Sequence, residues 1–289
     1  MLLFLSLQIS DTHPIFRKVL GLILLSIIIV FVLVKLFQII ETIWVELISH
    51  KPLFRHFYVF KRKLTNSQKF ILRNQFYFYK KLSRKEQDFF EHRVAHFIKR
   101  NEFIGKSDLK IDDVHKVLIS ATAVMLTFGY RNYKLKWVER FLIYPDVYYS
   151  NMNKTYHKGE FNPSFKAIIM SWKNFLHGYK IEDDNFNLGI HEVVHALHFE
   201  YLDPKNNSTN AVIFMYHYDK LREFLDADDD YKTRLVASKY LRDYAYTNKF
   251  EFIAVLIESF IETPSELKSQ FPEMYRYVKK MLNFNFAGY

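Results

Sequence analysis

The run VLGLILLSIIIVFVLVKLFQII, Val19 to Ile40, constrains this chain most, because an uninterrupted apolar stretch of that length has few stable environments. Its only charge is Lys35, close enough to one end for the long stem to reach polar surroundings. At 1.5 Å per residue the run makes a helix of about 33 Å, enough to cross a hydrocarbon core. It is apolar on every side, which a helix packed on one face of a soluble domain would not be. It also exceeds the roughly 7–15 apolar residues of a cleavable signal, and no small-x-small site follows it. The expectation is one transmembrane helix over 19–40, with a short amino-terminal segment, 1–18, before it.

Charge suggests which side the remainder occupies. Between Leu47 and Lys85 the chain carries only basic residues (Lys51, Arg55, Lys61, Arg62, Lys63, Lys69, Arg73, Lys80, Lys81, Arg84 and Lys85) and no Asp or Glu, which accounts for the formal net charge of +10. Lys and Arg accumulate on the cytoplasmic side of membrane spans, so the carboxy-terminal part is expected in the cytoplasm, at a bacterial inner membrane. Phe57, Tyr58, Phe60 and Phe76 to Tyr79 interleave with these charges, a pattern also found where proteins bind nucleic acid. Beside an anchor, topology and contact with anionic lipid explain the charge more simply, and no nucleic acid is expected. Residues 41–65 read as a basic juxtamembrane linker and 66–289 as the main domain. With 49% hydrophobic and 18% aromatic residues, that domain can build a core, and the absence of cysteine excludes disulfides and thiolate chemistry.

The pattern beyond the linker is mainly helical. LSRKEQDFFEHRVAHFIKR opens with Ser83 and Glu86 at capping-box spacing and places Phe89, Phe90, Val94 and Phe97 on one face. IDDVHKVLISATAVMLTFGY gives a second helix, started by Asp112 or Asp113 and ended near Gly129. RFLIYPDVYY and KAIIMSW read as short strands, the first broken by Pro145, with turn residues in SNMNKTYHKGEFNPS between them. Helices follow around 185–201, 211–226, 230–243, 249–262 and 264–282. The fold class expected is α+β, mainly helical with a small sheet.

The chemistry lies in GIHEVVHALHFEY, residues 189–201. Positions i and i+4 share one face of a helix, so His191 and His195 can direct two imidazoles at one ion. Glu192 is offset to reach a water there. Two neutral nitrogens, a further ligand and an open position suit catalytic zinc, with the glutamate as general base. Asn185 and Asn187 are the candidate caps. His198, at i+7, lies on roughly the same side, but three ligands rising from one straight helix cannot surround an ion. It is expected to be a structural residue or to support the ligands from behind. The third ligand should come from another element, and YAYTNKFEFIAVLIESFIETP supplies two carboxylates, Glu251 and Glu258, along one side of a helix with Ala254 and Val255. At least one is expected to face inward, where it needs a partner such as a metal.

From about Lys63 onward the chain resembles the MtfA (Mlc titration factor A) family of zinc-dependent peptidases. The matching pieces are LISATAVMLTFGY, LIYPDVYY, the Ser171–Trp172 pair, NLGIHEVVHALH and YAYTNKFEFIAVLIESFIETP, in that order. The resemblance, which extends to the related catalytic domain of anthrax lethal factor, implies a zincin-like fold holding one Zn²⁺ per chain. It also implies that Glu251 is the third ligand, which leaves Glu258 in a supporting place, and that Tyr244 stabilises the tetrahedral intermediate. The anchor and the basic segment lie outside the soluble family pattern. The expected activity is peptide-bond hydrolysis on a peptide or protein substrate, with KAIIMSW as the strand that pairs with it. The competing reading is a membrane-tethered module that sequesters a regulatory protein, such as a transcriptional regulator, on a metallopeptidase fold. Retention of Glu192 favours the enzyme.

Overall fold

A computed structural model describes residues 14–150, 154–180 and 186–289. The first thirteen residues, most of the expected 1–18 segment, and Asn185 lie outside them. Helix α1, Pro14–Trp44, contains the apolar run, and its side chains stand exposed along the span, as at Leu22, Ile28 and Phe31. It is long and apolar enough to cross a membrane. A π-turn, Val45–Ser49, ends it, and His50 closes the turn in the left-handed region at φ 48°.

The base of α1 is held to the domain. Glu41 is fully buried and pairs with Arg131 at 2.5 Å, and its other oxygen accepts a 3.4 Å hydrogen bond from the Leu53 amide. Val45 and Leu64 belong to the core, and His56 stacks on Phe89 at 4.5 Å. Arg93 is the clamp. Fully buried on α4 (Arg84–Arg100), it donates to the carbonyls of Arg55 at 2.9 Å, Thr127 at 3.0 Å and Tyr130 at 2.7 Å, and to the Tyr58 hydroxyl at 2.6 Å. A guanidinium has five donors and no acceptor, so one side chain can satisfy carbonyls from two separated segments.

Helices α2 (Asn66–Gln75) and α3 (Tyr77–Lys81) precede α4, whose capping box is formed by Ser83 and Glu86. Helix α5, Asp113–Thr127, is capped by Asp112 and buried almost throughout from Val117 to Thr127, as a run apolar on all sides requires. Around these, Phe76, Phe78, Phe90, Phe128, Phe284 and Phe286 stack edge to face and offset, which gives the high phenylalanine content a place.

One sheet has four strands in the order β1 (Glu102–Gly105), β2 (Arg140–Tyr144), β6 (Ala167–Ser171), β5 (Gly159–Asn162). The first three run parallel and β5 runs antiparallel to β6. Strands β3 (Tyr148–Ser150) and β4 (Thr155–His157) form a separate hairpin. RFLIYPDVYY is therefore divided at Pro145 between two sheets. KAIIMSW, expected to pair with a peptide, is β6, and both its edges are taken by β2 and β5. The outer strand on the β6 side is β5, drawn from a stretch read as turns.

Helix α6 (Trp172–Lys180) leaves β6 directly, and α7 (Leu188–Tyr201) packs on it and on the sheet. Helices α8 (Thr209–Ala227) and α9 (Asp229–Ser238), a 3₁₀ turn (Asp243–Tyr246) and α10 (Lys249–Glu262) follow. The helix expected over 230–243 stops early because Lys239 turns left-handed at φ 53°. The one expected over 264–282 is two, α11 (Pro264–Gln270) and α12 (Pro272–Met281), since Pro272 has no N–H to continue a helix and starts the next.

Candidate metal centre

The site lies between α7 and α10. Asn187 caps α7 by accepting from the Ile190 amide at 3.1 Å, while its own amide donates to the Gly178 carbonyl at 2.9 Å. This fixes the first turn of α7 against α6. One turn apart, His191 and His195 bring their Nε2 atoms to 2.9 Å, with ring planes at 90°. Asn248 caps α10 and accepts from the Glu251 amide at 3.1 Å, which sets Glu251 in the first turn, facing α7. Glu251 Oε2 lies 3.0 Å from His191 Nε2 and 3.4 Å from His195 Nε2. Although buried, that oxygen is aligned for a hydrogen bond with neither, nor with any other described residue.

Three potential ligand atoms thus surround one point, and Glu251 Oε2 is bonded to neither imidazole. A tetrahedral ion with arms of about 2.0–2.1 Å separates its ligands by about 3.3 Å, close to the observed triangle. Among the described residues, His191, His195 and Glu251 are the one group of potential metal ligands clustered in this way.

Charge gives a second test of fit. Burial lowers the pKa of His191, but Glu251, Glu258 and Glu192 outweigh it and carry the imidazole up to about 10. Burial would raise Glu251, yet the two imidazoles hold it well below the usual carboxylate range. The buried cluster therefore demands positive charge, which a divalent cation supplies while leaving the histidines neutral to ligate.

Glu258, two turns beyond Glu251 and fully buried, lies against His191. It accepts from His191 Nδ1 at 2.5 Å and from the Asn187 amide at 3.0 Å, and Arg242 grips both its oxygens at 2.9 Å. Such a carboxylate selects the tautomer that frees Nε2. Arg242 escaped the sequence reading. Its one signal was that a buried Glu258 must have a cationic partner.

Glu192 is 4% exposed, and burial raises its pKa against the lowering effect of His191 and His195. Glycine at 159 makes room for it, because a Cβ there would come within 2.6 Å of Glu192 Oε1. The start of edge strand β5 therefore rests on this carboxylate. Tyr244 lies in the 3₁₀ turn, half exposed, with its ring centred 6.0 Å from that of His191. Burial and the nearby Glu251 push its hydroxyl up to about 12. A groove of about 400 Å³ opens over the site, lined by Tyr156, Lys158, Gly159, Glu192, Arg242 and Tyr244 among others.

His198 does not join the cluster or support it. It is fully buried among Phe214, Tyr218 and Phe250, at 4.8–6.0 Å between ring centres, and neither ring nitrogen has a partner among the described residues. Burial, then the charges of His195 and Lys249, draw its pKa down to about 4, so it packs as a neutral aromatic.

The family profile of the glucose-regulated metallo-peptidases M90 matches residues 53–282. The chain belongs to this family. It is also 24% identical over 247 residues to an uncharacterized protein of Synechocystis sp., covering 77% of this chain and 85% of the relative. Metallo-peptidase membership implies a metal, and the cluster on α7 and α10 has the chemistry to hold one.

Proposed function

We propose that this metallo-peptidase is zinc-dependent, hydrolyses peptide bonds, and is anchored through α1 with its catalytic domain in the cytoplasm. The observation that carries the reading is the triangle of His191 Nε2, His195 Nε2 and Glu251 Oε2 beside the buried Glu192. Those three residues would hold Zn²⁺, leaving a position open. When bound, the ion supplies Lewis acidity that acidifies water and polarises a carbonyl.

The remaining work falls to the chain. Glu192, buried and raised in pKa, takes the proton that water gives up and passes it to the leaving amine. Tyr244, kept protonated by its raised pKa, donates to the carbonyl oxygen as that oxygen becomes negative. Glu258 and Arg242 keep His191 in register. The free edge of β5 can take an extended peptide as an added strand, and because Gly159 rests on Glu192, that strand would carry the scissile bond to the base. The orientation rests on the basic residues that follow α1.

The test is cleavage of a mixed library of unstructured peptides by the full chain in detergent, wild type against Tyr244→Phe. Wild type is expected to cleave. The variant should lose roughly 10²-fold in kcat, the scale of one oxyanion donor, with metal content and Tm unchanged. No cleavage of any peptide by zinc-loaded wild type removes the proposal, and a normal kcat in the variant removes Tyr244 from it.

A further inference from the structure

A second cavity, of about 350 Å³, shares no lining residue with the groove over the metal centre. It is formed where the turn that ends α1 meets α8 and α12. Lys51, Arg276, Lys279 and Lys280 line it, with the amides of Asn283 and Asn285, and no carboxylate does. Two of these cations are already engaged. Arg276 pairs with Glu273, and Lys279 donates to the Tyr289 carbonyl at 2.7 Å. Neither Lys51 nor Lys280 has an acidic partner among the described residues.

One histidine of the lining reports the same field. His217 is nearly buried, and its pKa falls to about 4 through burial and then the charges of Lys280, His50 and Lys51. The His50 ring is fixed by stacking on Tyr216 at 3.7 Å, and its buried Nδ1 has no partner among the described residues. Like charges gathered on one side of a cavity raise its potential and favour an anion.

Its place in the fold indicates the source of that anion. Ser49 and His50 end the turn that follows Trp44, so the cavity opens just beyond the carboxy-terminal end of the apolar helix. On the same juxtamembrane segment Leu47, Phe57 and Phe60 are at least 72% exposed. Apolar side chains interspersed with lysine and arginine suit the headgroup boundary of a bilayer. The volume falls in the range of small-ligand sites.

We propose that this cavity binds the phosphate of an anionic phospholipid headgroup, with Lys51 and Lys280 as the principal cations. It rests on the reading that α1 spans a bilayer, and it is independent of the peptidase chemistry.

The experiment places the full chain in nanodiscs of phosphatidylcholine with a minor fraction of phosphatidylglycerol and counts the lipids retained by native mass spectrometry. Wild type should retain phosphatidylglycerol selectively. Each lysine near an anionic headgroup contributes roughly a fivefold effect, so Lys51→Gln with Lys280→Gln should lower selective retention by roughly 30-fold. Lys205→Gln, an exposed lysine outside the cavity, should leave it unchanged. Both lysines are exposed, so the double variant should keep its Tm. Equal retention by wild type and double variant overturns the proposal. So does inorganic phosphate raising the Tm of wild type alone while no lipid is selected, which assigns the cavity to a soluble phosphate compound. A chain that does not enter the discs overturns the anchor and the headgroup site together, whereas entry without selective retention overturns the headgroup site alone.

Discussion

Glu192→Gln is expected to leave the fold and the ligand triangle intact while lowering peptide hydrolysis by about 10²–10⁴-fold, the contribution of a positioned general base. The substitution keeps the size and shape of a side chain that is 4% exposed and packed against Gly159, so little has to move. What it removes is the ability to accept a proton. Burial already raises the pKa of this carboxylate, so a neutral amide in its place lifts a desolvation cost. The variant should therefore be at least as stable as wild type. Zinc content by elemental analysis, Tm and kcat/KM form the readout. Turnover near wild type would contradict the assignment of the base, and loss of zinc would show that Glu192 serves the metal.

The second large effect belongs to Glu258→Ala. This carboxylate joins His191, the Asn187 amide and Arg242, so its loss leaves a ligand without its orienting partner and a guanidinium without its counter-ion. Zinc affinity should fall by roughly 10–100-fold. Stability of the metal-free protein should fall by about 3 kcal/mol, at the low end for a broken buried pair because Arg242 keeps a quarter of its side-chain exposure. Glu258→Gln separates the two effects, since an amide can still bond His191 but leaves the Arg242 charge uncompensated. A chelator competition titration gives the affinity, and unchanged zinc affinity in both variants would refute the orienting role.

The parts legible in the sequence were those with a local periodic signature. The apolar run of α1, the His191–His195 pair and the capping residues Ser83, Asp112 and Asn187 each signal within a few residues. Glu251 and Glu258 were visible as carboxylates on one helix face, but their division of labour was not, because it depends on where each meets α7. The family resemblance made that division. Strand β5 was illegible, since GEFN reads as a turn until β6 lies beside it. Arg242 precedes the 3₁₀ turn, sixteen residues before its partner, with no pattern to link them. Arg93 looked like any polar position on an amphipathic helix, because the carbonyls it holds come from distant segments. His198 was legible only as an alternative between a structural and a supporting place. Its spacing placed it near the ligands, while a pocket of three aromatic rings claimed it.

The central claim is that two imidazoles of α7 and one carboxylate of α10 hold a zinc ion. An anomalous difference map at the zinc edge, from crystals of the full chain purified without chelator, tests it most directly. The account predicts a single peak per chain, about 2.0–2.2 Å from His191 Nε2, His195 Nε2 and a Glu251 oxygen, with Glu192 beside it and unbound. No peak at that point, or a peak ligated through His198 with Glu251 turned to solvent, would contradict it.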